Sequence, residues 1–183
     1  MLEIEKNFFE ESRKTHKSTG KIFFLIKDWS PKNVKRIDER DYLIKLSFHI
    51  IRPGKEQFLL NRHRKGNERP DKGVEIPISI APYIGKCMIE QTSNNAYKKG
   101  QCDIKNVQNF SGYTFELIRG FPTLTKGAIN FKLIHNSKET KYFLNRQIGT
   151  TEIGNQAGVE IPREMLEQIG RYLIECSKII KKL

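Results

Sequence analysis

The sequence predicts an α+β protein built from two tandem ββββα repeats. Each repeat is an antiparallel four-stranded sheet with a C-terminal helix, and the two are expected to form an intramolecular pseudo-dimer. Three observations lead there. A set of short blocks occurs twice in the same order: Phe58-Leu59-Leu60-Asn61-Arg62, Gly73-Val74-Glu75-Ile76-Pro77 and Ile84-Gly85-Lys86 return as Tyr142-Phe143-Leu144-Asn145-Arg146, Gly158-Val159-Glu160-Ile161-Pro162 and Ile169-Gly170-Arg171. Upstream of each set lie β-branched and aromatic runs with alternating polarity, the mark of strands. Downstream of each, apolar residues recur at helical spacing. A duplicated unit too small to bury a large core alone is expected to pack on its twin.

The elements follow in order. Residues 1–20 are polar apart from Leu2, Ile4, Phe8 and Phe9 and read as an N-terminal arm or short helix. The first repeat spans 21–98. Its first strand is 22–29, ended by Ser30-Pro31, and a charged loop leads to a second strand at 42–52. Pro53-Gly54 turns the chain into a third strand, 57–64, and a polar stretch precedes a short fourth strand at 74–76. Pro77 suits a strand end better than a strand interior, because it has no N–H to donate. A helix over 79–98 carries Ile80, Tyr83, Ile84 and Cys87/Met88 on one side, with Pro82 in its first turn, where the missing N–H costs nothing. Residues 99–110 read as a linker. The second repeat, 111–183, has strands at 113–121, 129–135, 140–147 and 159–161, then a helix at 163–181 with Met165, Leu166, Ile169, Leu173 and Ile180 as its apolar stripe.

Strict alternation separates the faces of each sheet. Phe23, Leu25, Phe48, Ile50, Phe58 and Leu60 are expected to face the helix, as are Phe115, Leu117, Phe131, Leu133, Tyr142 and Leu144. The other face then carries Phe24, Ile26, Lys45, Ser47, His49, Gln57, Leu59, Asn61 and His63 in the first repeat. In the second it carries Thr114, Ile118, Asn130, Lys132, Ile134, Lys141, Phe143, Asn145 and Gln147. Aromatic rings among lysines and amides on an open sheet suit single-stranded nucleic acid: bases stack on the rings while cations meet phosphates. Arg62, Arg64, Lys65, Arg69 and Lys72 add charge at the first hairpin end, and Arg146 at the second. Arg62 and Arg146 also have an ion pair with Glu75 or Glu160 as an alternative. Trp29 and Phe121 are matched aromatics before proline-containing loops, readable as rim stacking groups or as plugs between the repeats.

Composition agrees with an anionic partner. There are 33 Lys+Arg against 21 Asp+Glu, a net charge of +12, and basic groups gain affinity for nucleic acid by displacing its condensed counterions. No apolar run approaches the roughly 20 residues that span a bilayer, and the N-terminus lacks the order of a signal peptide. Cys87, Cys102 and Cys176 read as reduced, unpaired thiols in an intracellular protein, of cytoplasm, nucleoid or nucleus. His16, His49, His63 and His135 lie at no metal-ligand spacing. No phosphate-cradling glycine loop or Gly-x-Ser-x-Gly elbow occurs. The expectation is therefore a non-catalytic protein with neither metal nor cofactor.

In the hairpin 48–64 followed by Val74-Glu75-Ile76-Pro77-Ile78-Ser79-Ile80-Ala81-Pro82-Tyr83-Ile84-Gly85, and in its counterpart 131–147 with 158–175, the chain resembles the PUR repeat of purine-rich-element-binding proteins. More broadly it is similar to the superfamily that includes Whirly proteins and positive-cofactor-four-type coactivators. The resemblance covers about residues 21–90 and 111–183. It implies single-stranded DNA or RNA binding across the sheets, in transcription or nucleic-acid maintenance, without catalysis. By position it places contacts on Phe24, Lys45, His49, Asn61, Arg62, His63, Arg64, Lys65, Arg69, Lys132, Lys141, Phe143, Asn145, Arg146 and Gln147. Asp28 and Glu116, at outward positions of the first strands, depart from that pattern. The alternative function is a protein-interaction or oligomerisation module with an acidic protein partner; further homo-oligomerisation of the chain stays open.

Overall fold

The computed structural model describes residues 13–15, 17, 21–29, 42–52, 55–64, 72–93, 103–110, 113–119, 130–136, 141–147 and 158–180. These form a mixed α+β structure of two sheets and two helices. The first sheet is an antiparallel meander of β1 (Arg13–Thr15), β2 (Ile22–Trp29), β3 (Tyr42–Arg52), β4 (Lys55–Arg64) and β5 (Lys72–Pro77), hydrogen-bonded in chain order. Helix α1 (Ala81–Ser93) follows. The second sheet contains β6 (Asp103–Phe110), β7 (Tyr113–Arg119), β8 (Asn130–Asn136), β9 (Lys141–Gln147) and β10 (Gly158–Pro162), followed by helix α2 (Arg163–Ile180).

Three features depart from the sequence reading. Each sheet has five strands rather than four: Arg13–Thr15, within the segment read as arm or helix, and Asp103–Phe110, within the segment read as linker, are the added edges. A bulge between Lys105 and Gln108 breaks the alternation of β6, so its strand period is masked in the sequence. Second, β7 and β8 pair in parallel, with Phe115 opposite Phe131 and Leu117 opposite Leu133, so the second sheet is not wholly antiparallel. Alternating polarity marks which face a residue occupies and is the same for either strand direction. Third, a bulge in β2 lies between Leu25 and Lys27, leaving Ile26 as the extra residue.

That bulge re-phases the first strand. Phe24 lies opposite Phe48, which lies opposite Phe58, and the three rings form one packed row with centroids 6.2 and 5.3 Å apart. Ile26 and Trp29 are buried on the same side, three residues apart, a spacing that strict alternation forbids. Phe23 and Leu25, expected in the core, are on the other face, and Ile50 is 38% exposed at the strand end. Phe48, Phe58 and Leu60, together with all six residues expected from the second repeat, are buried. Pro77 closes the edge strand β5, where no ladder hydrogen bond is lost.

The two helices cross at a pair of glycines. A methyl group on Gly85 would stand 2.6 Å from the carbonyl oxygen of Gly170, and one on Gly170 would stand 2.6 Å from that of Gly85. Around this contact Gly85 faces Leu173 and Ile174, and Gly170 faces Met88 and Ile89, the same positions in each repeat. Each helix also reaches the sheet of the other unit. Tyr83 of α1 packs edge-on against Phe115 of β7, with centroids 6.0 Å apart. Trp29 of β2 packs edge-on against Tyr172 of α2, and its Nε1–H donates to Gln168 Oε1 at 2.8 Å. Trp29 is therefore a plug between the units rather than a rim group; Phe121 lies outside the described residues.

Two ion pairs repeat the exchange. Arg62 Nη1 meets Glu160 Oε2 at 3.5 Å, and Arg146 Nη1 meets Glu75 Oε2 at 2.9 Å. The first is buried, with side chains 10% and 11% exposed; in the second, Glu75 is half in solvent. The Arg146 guanidinium also sits 5.8 Å from the centroid of Phe131, a cation–π contact. Cys87 and Cys176 are free and buried, and Cys102 lies outside the described residues. Burial, with Glu175 adding repulsion, pushes the Cys176 thiol from its ordinary 9.0 up to about 12.

Alanine at Gly85 or Gly170 gains about 1 kcal/mol of helix propensity but forces the helices apart, and overpacking of this kind costs about 1–3 kcal/mol. Both variants are expected to be destabilised in urea titrations; a stabilised Gly85→Ala protein would mean that the helices do not meet at this point. Arg62→Ala, which removes the cation of the buried pair, should cost about 3 kcal/mol, whereas Glu75→Ala, in the solvent-screened pair, should cost less than about 1 kcal/mol. Equal losses in the same titration would contradict the difference in burial. Because the folded state raises the Cys176 pKa, its stabilising contribution is complete below about pH 9 and lost as pH rises toward about 12. Urea midpoints of the native chain should fall over that range more steeply than those of Cys176→Ala.

Candidate functional site

The face of the first sheet turned away from the helices is composed of cross-strand rows, since residues directly opposite each other on neighbouring strands share a face. The first row runs Lys14, Phe23, His49, Gln57, Pro77. The next runs Leu25, Ser47, Leu59, Glu75, and the third Asp28, Lys45, Asn61, Gly73. Phe23 and His49 form a near-parallel stack, with ring centroids 5.5 Å apart and planes inclined by 20°. Ser47 Oγ lies 2.8 Å from His49 Nε2 and fixes the imidazole from the neighbouring row. Lys14, Lys27 and Asp28 are exposed, and Lys45 is half-buried.

The corresponding face of the second sheet carries Ile134, Phe143 and Glu160 in one row and Glu116, Lys132, Asn145 and Gly158 in the next. Phe143 is half-buried and Ile134 buried. Lys141 pairs in register with Asn136 and Pro162, and Gln147 with Asn130.

Among the expected contact residues, the fold brings Lys45, His49 and Asn61 together on one outer face, and Phe143 and Asn145 on the other. Lys132, Lys141, Gln147 and Arg64 hold strand positions, while their side chains lie outside the described set; Lys65 and Arg69 are wholly outside it. Two expectations are corrected. Phe24 belongs to the core-side row with Phe48 and Phe58, because the bulge at Ile26 reverses the phase of β2. Arg62 and Arg146 are taken up by Glu160 and Glu75 of the opposite unit, the alternative their spacing allowed. His63, opposite Leu43 on the face that carries Asn61, is 7% exposed, as buried as Asn61 at 8% and Asn145 at 6%.

Sequence reasoning did not place Phe23 and Lys14 on this face, where the register sets them. The signal for Phe23 was present: Trp29 and Ile26 both suit a core, and placing both there requires a bulge that turns Phe23 outward. Lys14 belongs to a strand too short to show any period.

Among the described residues there is no group of three or more His, Cys, Asp or Glu side chains able to hold a metal ion. No helix among them is long and apolar enough to cross a membrane. No known family model matches the chain, and no curated protein matches it either.

Proposed function

We propose that this chain is a non-catalytic, single-stranded nucleic-acid-binding protein of PUR-like type, in which two strand-rich repeats form a pseudo-dimer and the ligand lies across the outer sheet faces. The observation that carries this reading is the Phe23–His49 stack, held on the face away from the helices with Lys14 and Gln57 in the same row. Paired planar rings beside a cation and an amide suit a base and its phosphate, and base–aromatic stacking contributes about 1–3 kcal/mol per base. The net charge of +12 supplies the long-range attraction. The reciprocal Arg62–Glu160 and Arg146–Glu75 pairs and the Gly85–Gly170 contact support the pseudo-dimer, since a twofold contact joins residue i to j and j to i.

A second reading, a protein-interaction or oligomerisation module, is favoured by one observation: the outer face of the second sheet carries apolar Ile134 and Phe143 beside each other. The two readings separate in one experiment. Labelled single-stranded DNA, double-stranded DNA and single-stranded RNA of equal length are titrated by fluorescence anisotropy across a salt series. Single strands are expected to bind more tightly than the duplex and to weaken linearly in log salt. Phe23→Ala should lower single-strand affinity by about 1–3 kcal/mol while leaving the salt slope unchanged. No binding at low salt would sink the nucleic-acid reading and give first place to the interaction module.

A further inference from the structure

The contacts that join the two units come in exchanged sets. In one set the residues are identical: Gly85 meets Gly170, while Arg62 and Arg146 meet Glu160 and Glu75. In the other set they differ. Trp29 lies opposite Ile44, which lies opposite Arg62; Phe115 lies opposite Phe131, which lies opposite Arg146. Trp29 and Phe115 therefore hold the same place in the two sheets, although the sequence pairs Trp29 with Phe121. The mismatch arises because β7 runs parallel to β8 where β2 runs antiparallel to β3. Both rings are buried, and each reaches the helix of the other unit two residues before the crossing glycine, Trp29 at Gln168 and Phe115 at Tyr83.

Identical contacts cannot tell partners apart. With the glycines and ion pairs alone, the first unit would suit the first unit of a second copy as well as its own second unit. The differing residues break that equivalence. In the observed pairing Trp29 Nε1–H donates to Gln168 Oε1 at 2.8 Å, and the indole lies edge-on to Tyr172 with centroids 5.6 Å apart. Phe115, which has no donor, meets Tyr83 ring to ring. Pairing like with like exchanges these neighbours. Trp29 would meet a tyrosine ring where Gln168 offers a carbonyl, and Cys87, two residues after Gly85, would stand in the place of Tyr172. Trp29 is only 7% exposed, so an indole N–H without its acceptor is costly there, as is the space left by a missing ring.

We infer that Trp29 and Gln168 are the specificity residues of the unit interface, by which the first unit selects the second unit over another copy of itself. The inference rests on the twofold pairing of units within the proposed function and is independent of what the outer faces bind.

Trp29→Phe/Gln168→Tyr makes both strand–helix contacts phenylalanine on tyrosine, so that like and unlike pairings become equivalent. Native and double-variant chains are unfolded in urea and refolded at about 1 mM, where pairing between chains competes with pairing within one. A short amine-reactive linker is then added. Lys86 is exposed and follows the crossing glycine, so two first units paired together bring two copies of it to one crossing. A Lys86–Lys86 link, read by mass spectrometry, forms only between two chains. The double variant is expected to give about tenfold more of it than the native chain, the factor carried by one buried hydrogen bond. Equal yields from the two folded proteins, whether high or low, overturn the inference. If the double variant does not refold, Gln168→Ala replaces it with the same expected rise, because it removes the acceptor from the unlike pairing alone. A double-mutant cycle of Trp29→Phe and Gln168→Ala in urea separates the two readings. Coupled losses with equal link yields overturn the inference and leave the pairing of units standing; additive losses mean that the residues do not meet, and overturn that pairing as well.

Discussion

The contact on which the rest of the molecule depends is the crossing of the two helices at Gly85 and Gly170. Each glycine leaves room for the carbonyl of the other, so the helix backbones touch where side chains would otherwise hold them apart. Closeness at this one point decides what the flanking residues can do. It seats Met88 and Ile89 against one helix and Leu173 and Ile174 against the other. It also carries each helix far enough for Tyr83 to reach Phe115 and Trp29 to reach Gln168 and Tyr172. The apolar core is continuous across both units as a result, and includes residues of both sheets and both helices.

The exchanged ion pairs act at the opposite border of the same contact, where β5 and β10 approach one another. Their energetic value is modest, because the buried pair loses in desolvation much of what it gains in attraction and the exposed pair is screened. Their importance is geometric. Arg62 and Arg146 are engaged by carboxylates of the other unit, so under the proposed function the binding chemistry falls on the middle of the sheets rather than on the hairpin ends. The rows through His49, Lys45 and Asn61 lie on that part of the first sheet.

Much of this was legible in the sequence because it is written in periods and repeats. The recurring Asn-Arg, Gly-Val-Glu-Ile-Pro and Ile-Gly blocks mark the residues of the two ion pairs and of the glycine crossing, and alternation gave every core residue of β7, β8 and β9 that was expected. Alternation failed wherever a bulge inserted a residue, which is why Phe23 and Phe24 exchanged faces and why β6 passed as a linker. It was silent on strand direction, so the parallel pairing of β7 and β8 could not be read from it. The fate of Arg62 and Arg146 was legible only as an alternative, because a guanidinium at a strand end looks the same whether it awaits a phosphate or a carboxylate from the other half of the chain. Asp28 and Glu116 looked out of place as single residues; the strand register sets each position opposite a lysine position, Lys45 and Lys132, and that is visible only once the strands are paired.

The reach of Trp29 into α2 has a consequence for how the chain is made. Its partners on α2 are synthesised well after it, Gln168 following by 139 residues. Until then the first sheet has an indole with no cover, and α1 has a glycine notch with nothing in it. Long-range closure of this kind is slow relative to local hairpin formation, and the waiting half exposes apolar surface in the meantime. A nascent chain stalled before residue 168 is therefore a natural client for a chaperone.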